Sequence, residues 1–265
     1  MSVTGRAVIL GVAFIFLLAG KISVAGAQEE PLPPEVPFQP IQKLDIVVNP
    51  ASKARIKFES DTFDFGSIPR GATVVHSFKF ANAGQDTLEI TSVRPTCGCT
   101  TAPLSSNKVA PGDEATIKAY FNSKNFNGRL TKYIYVNSSD PIDPYLKISF
   151  KATINDPLLP INMAPLEADF GSIVSGAPGI VKVTLTNAGD SPVDIRLIHE
   201  SAPEMVKASP TSMSLQPNGN AELTLQLAAQ DKSGELKESL TFDITGGQEG
   251  RFSLPWKAVI TGQRQ

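Results

Sequence analysis

Asp64-Phe65-Gly66-Ser67-Ile68 returns unchanged as Asp169-Phe170-Gly171-Ser172-Ile173, an offset of 169 − 64 = 105. At the same offset Gly71 meets Gly176, and Asn82-Ala83-Gly84 meets Asn187-Ala188-Gly189. One residue is then gained, and Pro111 meets Pro217, Gly128 meets Gly234, and Lys151-Ala152 meets Lys257-Ala258. Ordered agreement over a domain's length is the mark of one fold used twice. Phe65 and Phe170 are expected to plug one end of each core, with Gly66 and Gly171 letting the backbone turn. Asn82, Gly84, Asn187 and Gly189 sit between successive strands, where Asn and Gly tolerate positive φ. These residues are read as scaffold.

What fold repeats is decided by a period of two. Phe78 and Phe80 alternate with Ser77 and Lys79, and Leu88 and Ile90 with Glu89 and Thr91. Ile117, Ala119 and Phe121 follow, then Leu146, Ile148, Phe150 and Ala152. Short alternating runs bounded by Gly, Pro, Asn or Asp are half-buried strands. With 21 prolines and 20 glycines to turn the chain, the prediction is an all-β protein of two tandem immunoglobulin-like β-sandwich domains.

The first domain is preceded by segments of different character. Arg6, the apolar run Ala7 to Gly20 and the small-x-small end Ala25-Gly26-Ala27 read as a signal peptide over residues 1–27. The run is shorter than the roughly 18–20 residues that span a bilayer, so an uncleaved anchor is the lesser alternative. Residues 28–52 form a Pro-rich tether, with Pro31, Pro33, Pro34, Pro37 and Pro40 favouring an extended chain. The first sandwich is placed at 53–155, a linker at 156–163, and the second sandwich at 164–262. The short Pro-containing linker predicts a bent but restrained pair. The expected location is periplasmic or secreted, with no membrane span after cleavage.

The formal net charge of −2 creates no field that would draw nucleic acid. Neither a G-x-S-x-G elbow nor a P-loop nor an H-E-x-x-H pair occurs, so no catalytic residue is named and an enzyme is not expected. Asp64, Asp113, Asp140 and Asp143 are read as turn aspartates. Trp256 is read as core.

Chemistry is offered by one short feature, Cys97-Gly98-Cys99, followed by Thr100. In a strand the two cysteines would share a face with Cα atoms about 6.6 Å apart, and Gly98 can bend the chain to close the gap. A bridge would close a minimal loop and stabilise little. Export permits a disulfide without requiring one. Three readings stay open: a passive turn, a redox-active pair, or a metal site, for which two thiolates suit Cu(I) better than Zn(II). The spacing is not the C-x-x-C of thioredoxins. His76 is a further ligand candidate, but its parity with Phe78 and Phe80 turns it inward, as a structural histidine would be. His199, in the second copy, has no nameable partner.

The order Phe65-Gly66, Gly71, His76-Ser77-Phe78-Lys79-Phe80, Asn82, Gly84, Leu88, Ile90, Cys97-Gly98-Cys99-Thr100, Pro111-Gly112 resembles a bacterial exported family of unknown function. That family is defined by a Cys-Gly-Cys-Thr motif in an immunoglobulin-like domain. It is similar in turn to the major sperm protein, abnormal-spindle and Hydin-type superfamily. The resemblance covers Ile56 to Ile154, and the second copy lacks the motif, with Ala202 and Glu204 at the cysteine positions. It implies a β-sandwich and, by analogy with the superfamily, an interaction or scaffolding role with envelope proteins as partners. Thiol-redox or copper handling through Cys97 and Cys99 is the alternative. A periplasmic chaperone, by analogy with two-domain pilus chaperones, ranks below both, because the basic cleft residues such chaperones need cannot be identified here.

Overall fold

The computed structural model describes residues 49–156, 159–228, 232–247 and 249–262. The signal-peptide reading and the tether up to residue 48 lie outside the described residues. Every regular element among those described is a strand. The first copy contributes β1 (Ile56–Phe58), β2 (Thr62–Ile68), β3 (Thr73–Asn82), β4 (Leu88–Pro95), β5 (Thr100–Thr101), β6 (Lys108–Val109), β7 (Glu114–Asn122), β8 (Gly128–Ser138) and β9 (Tyr145–Ile154). The second contributes β10 (Ile161–Ala164), β11 (Ala168–Val174), β12 (Pro178–Asn187), β13 (Val193–Glu200), β14 (Val206–Ser209), β15 (Ser212–Leu215), β16 (Asn220–Ala228), β17 (Gly234–Gly246) and β18 (Gly250–Thr261).

Adding nine to each strand number converts one copy into the other. A small sheet β1-β3-β7-β5 corresponds to β10-β12-β16-β14, and β6-β4-β8-β9-β2 corresponds to β15-β13-β17-β18-β11. In both copies the Asp-Phe-Gly strand runs parallel to the copy's last strand. Alternation fills the space between the sheets. Phe78, Phe80, Ile117, Phe121 and Phe150 join Phe65 in one buried cluster. Leu185, Leu225, Phe242, Phe252 and Trp256 join Phe170 in the other. Each such side chain contributes about 1.5–3 kcal/mol through burial.

The repeated motifs do their work by hydrogen bonding as much as by backbone shape. Asp64 lies at a strand bulge, not a turn: its Oδ1 accepts from the Gly66 N–H at 2.8 Å, with Gly66 at φ 67°. Asp169 and Gly171 repeat this at 2.8 Å and φ 66°. Asn82 and Asn187 are fully buried at strand ends, and positive φ falls on Asn155 and Asn218 instead. The Asn82 amide donates to the Asp86 and Val109 carbonyls at 2.8 and 2.9 Å while its oxygen accepts from Gly84 N–H at 2.9 Å. Asn187 makes the matching bonds to Ser191, Leu215 and Gly189. A buried amide that meets several main-chain groups stands in for missing ladder partners. Asp140 likewise is buried, accepting from the Ile56 N–H at 2.9 Å and the Ile142 N–H at 2.8 Å.

The two large sheets are continuous. β2 carries β9 on one edge and meets β18 on the other, with Ser67 opposite Phe252. Restraint between the copies therefore comes from a shared sheet and side-chain bonds across it, where the sequence pointed only to the linker. Gly66 shows how close the approach is: a Cβ there would lie 2.1 Å from the Arg251 carbonyl oxygen, whereas at Gly171 nothing lies within 4 Å.

Candidate functional site

Cys97-Gly98-Cys99 is a turn between β4 and β5, not part of a strand. The chain leaves β4 held by the Thr96 N–H donating to the Tyr133 carbonyl at 3.0 Å. It re-enters the small sheet at β5, where the Asn122 N–H donates to the Cys99 carbonyl at 3.0 Å. Reversal brings the Cα atoms to 5.2 Å, and the two sulfurs are joined as a disulfide. The buried Thr100 hydroxyl stands 3.7 Å from Cys97 Sγ and 3.8 Å from Cys99 Sγ. Cys99 packs on the first core, while Gly98 is exposed, with no atom within 4 Å of where a Cβ would stand. The equivalent connection in the second copy, Ser201 to Met205, is cysteine-free and tucked in, with Ala202 and Met205 buried.

The structure does not bring His76 to these cysteines. Its ring stacks on Phe63 at 3.7 Å with 12° between planes and meets Phe78 edge-on. Its Nδ1 lies 3.1 Å from Nε2 of His199. One imidazole N–H thus donates to the other's lone pair, an arrangement that requires at least one ring to be neutral. Burial first, then the neighbouring His199, pushes His76 down to about 3. Burial and the Lys79 ammonium push His199 down to about 4. No group of three or more His, Cys, Asp or Glu among the described residues is placed to hold a metal ion.

Around the histidine pair the junction is polar and self-satisfied. Lys118 of β7 pairs with Glu238 of β17, whose other oxygen accepts from Ser201 Oγ at 2.7 Å. Burial raises the Glu238 carboxyl, against the bonds from Lys118 and Ser201 that lower it. Ser239 Oγ accepts from the Val75 N–H and donates to the Val75 carbonyl, both at 3.0 Å. Ser253 Oγ donates to the Phe65 carbonyl at 2.8 Å. Beside this contact a groove of about 790 Å³ is lined by Phe63, Asp64, Lys151, Asp243, Glu249 and Arg251. Its cations are already paired, Lys151 with Asp64 at 3.2 Å and Arg251 with Asp243 at 2.6 Å.

Sequence reasoning missed Lys118, Glu238, Ser239 and the partner of His199. One signal was present: Glu238 is an acid at the inward parity of Leu236, Leu240 and Phe242.

Residues 56–154 match the family described as "Protein of unknown function (DUF1573)". The matched stretch coincides with the strands of the first sandwich, β1 to β9. No curated protein matches the chain. Similar solved structures include the ASH/PapD-like domain 7 of human CEP192, at 12% identity and TM-score 0.36, covering 41% of this chain and 94% of that one. SSP-19, an MSP-domain protein like family member in Caenorhabditis elegans, follows at 13% identity and TM-score 0.32, covering 37% and 98%. The periplasmic chaperone SfaE is similar at 9% identity and TM-score 0.29, covering 78% and 100%.

Proposed function

We propose that this chain is an exported, non-enzymatic binding or scaffolding protein of the bacterial cell envelope. The observation that supports the reading is a sheet face that packs against another sandwich in one copy and stands exposed in the other. In the second sandwich the outer face of β17 and β18 holds a protein surface, the flank of the first sandwich. In the first sandwich the corresponding face of β8 and β9 is open and presents Tyr133 and Tyr145. Aromatic side chains with a polar tip are favoured interface anchors. A photo-crosslinking residue at position 133 of the exported chain, expressed in its own envelope, tests this. Discrete protein crosslinks at 133 and none at exposed Asn125 are expected. Equal or absent labelling at both sites overturns the reading, and a chain found in neither the periplasmic nor the secreted fraction overturns the export assignment.

A second reading is favoured by the disulfide in an open turn. A partner thiolate can attack the Cys97–Cys99 bond, forming a mixed disulfide and releasing the other sulfur as a thiolate beside the Thr100 hydroxyl. That thiolate can then displace the partner. In the reduced state the same pair is the soft donor set that suits Cu(I). Thiol titration with metal analysis of chelator-free protein decides it: free, unreactive thiols without metal reject both forms.

A further inference from the structure

The repeat supplies a template for a contact between molecules. Within the chain, the outer face of β17 and β18 receives the open flank of the first sandwich at Val75, Phe65 and Gly66. At the repeat offsets, Tyr133 stands at the position of Ser239, Tyr135 at Thr241 and Lys147 at Ser253, while Ile180 stands at Val75 and Gly171 at Gly66. Both halves of a second such contact are therefore present, one on each sandwich.

The receiving half is the β8–β9 face. Tyr133 is 37% exposed and Tyr145 44%. Tyr135 stacks on Tyr145 at 5.3 Å, and the Lys147 ammonium sits 4.7 Å over the Tyr133 ring. Arg94 lies directly opposite Tyr135 in the sheet. The entering half is the flank of β12. Ile180 is 64% exposed where Val75 is fully buried. β10 covers only Thr184 to Asn187, so among the described residues the β12 edge from Pro178 to Val183 pairs on one side alone. In the first copy the equivalent edge is met by a hydroxyl, Ser239. The Tyr133 phenol, which can also donate and accept, occupies that position here.

Charge favours the same pairing. Residues 53–155 hold 13 basic against 9 acidic side chains, a net of +4, and residues 164–262 hold 7 against 12, a net of −5. Opposite fields steer unlike ends together and oppose contact between like ends.

We propose that the Tyr133/Tyr135/Tyr145 face of the first sandwich docks the β12 flank of the second sandwich of another copy of this chain, head to tail. The proposal deepens the binding reading by naming a partner, and it rests on that reading. Such a contact uses different patches on the two molecules, so it propagates instead of closing on a two-fold.

Sedimentation velocity of the mature chain over two decades of concentration tests it. Mass is expected to rise past the dimer with concentration and to fall as salt screens the opposed charges. Tyr133→Asp and Ile180→Asp, both at exposed positions, should each weaken association by about tenfold or more without changing thermal stability. Mixing the two variants should restore association but stop it at the dimer, since each keeps one intact half. A wild-type chain that stays monomeric, or a mixture that does, overturns the proposal. Crosslinks from position 133 into a different envelope protein, with a monomeric chain, overturn self-docking while sustaining the broader binding reading.

Discussion

Acidification from about pH 7.5 to about pH 4.5 is the perturbation that tests the junction most directly. His76 is held at about 3 and His199 at about 4, against an ordinary 6.5. Folded-state values below the unfolded one mean that the native state binds fewer protons. The stability these groups contribute is complete above about pH 6.5 and is lost as pH falls toward 3–4. At about pH 4.5 each imidazole kept neutral costs about 2.5 kcal/mol, and the pair about 5 kcal/mol. That is a large part of the 5–15 kcal/mol of a typical domain. Glu238 and Glu200 act in the opposite sense: burial raises both carboxyls, so their contribution grows as pH falls through their folded values. The assay is urea unfolding across this range for the wild type and for His76→Phe/His199→Leu. Replacing both partners of a buried hydrogen bond by apolar groups is close to neutral at pH 7.5. On acidification the wild type should fall by about 5 kcal/mol relative to the double variant, because the carboxyl contribution is common to both. A double variant that runs in parallel with the wild type refutes the reasoning.

Gly66→Ala and Gly171→Ala share a left-handed backbone costing about 1 kcal/mol, but only the first meets Arg251, so it should lose more than about 3 kcal/mol by thermal unfolding. Lys118→Met strands a buried carboxylate and should cost about 3–5 kcal/mol, with Lys118→Met/Glu238→Leu recovering more than half in the same denaturation assay. Cys97→Ser/Cys99→Ser opens a loop with one intervening residue and should cost less than about 2 kcal/mol. A larger loss there would make the disulfide a staple.

Strands were legible wherever a period of two met a one-sided core, as in β7 and β9, because burial on one face leaves its trace in every second residue. Phe65 and Phe170 were legible as core because the same aromatic recurs in the repeated Asp-Phe-Gly-Ser-Ile motif. Asn82 and Asn187 were legible as repeated positions but misread as turn residues. Their function lies in amide bonds to carbonyls that a linear pattern does not reveal. The cysteines were legible as a pair because two residues cannot separate far, though their turn conformation was not.

Positions 76 and 199 are not repeat equivalents, and 123 residues separate them. Parity turned His76 inward but could not say that its inward side is also the boundary with another sandwich. By itself, the sequence determined the fold unit, its duplication and the closeness of the two cysteines, since each is set by local spacing. Only the tertiary structure decided that the copies share one sheet, that Gly66 and Gly171 answer to different neighbours, and that two histidines meet. Those outcomes depend on how two finished surfaces pack, and identical motifs acquire different surroundings when one copy is covered and the other is open.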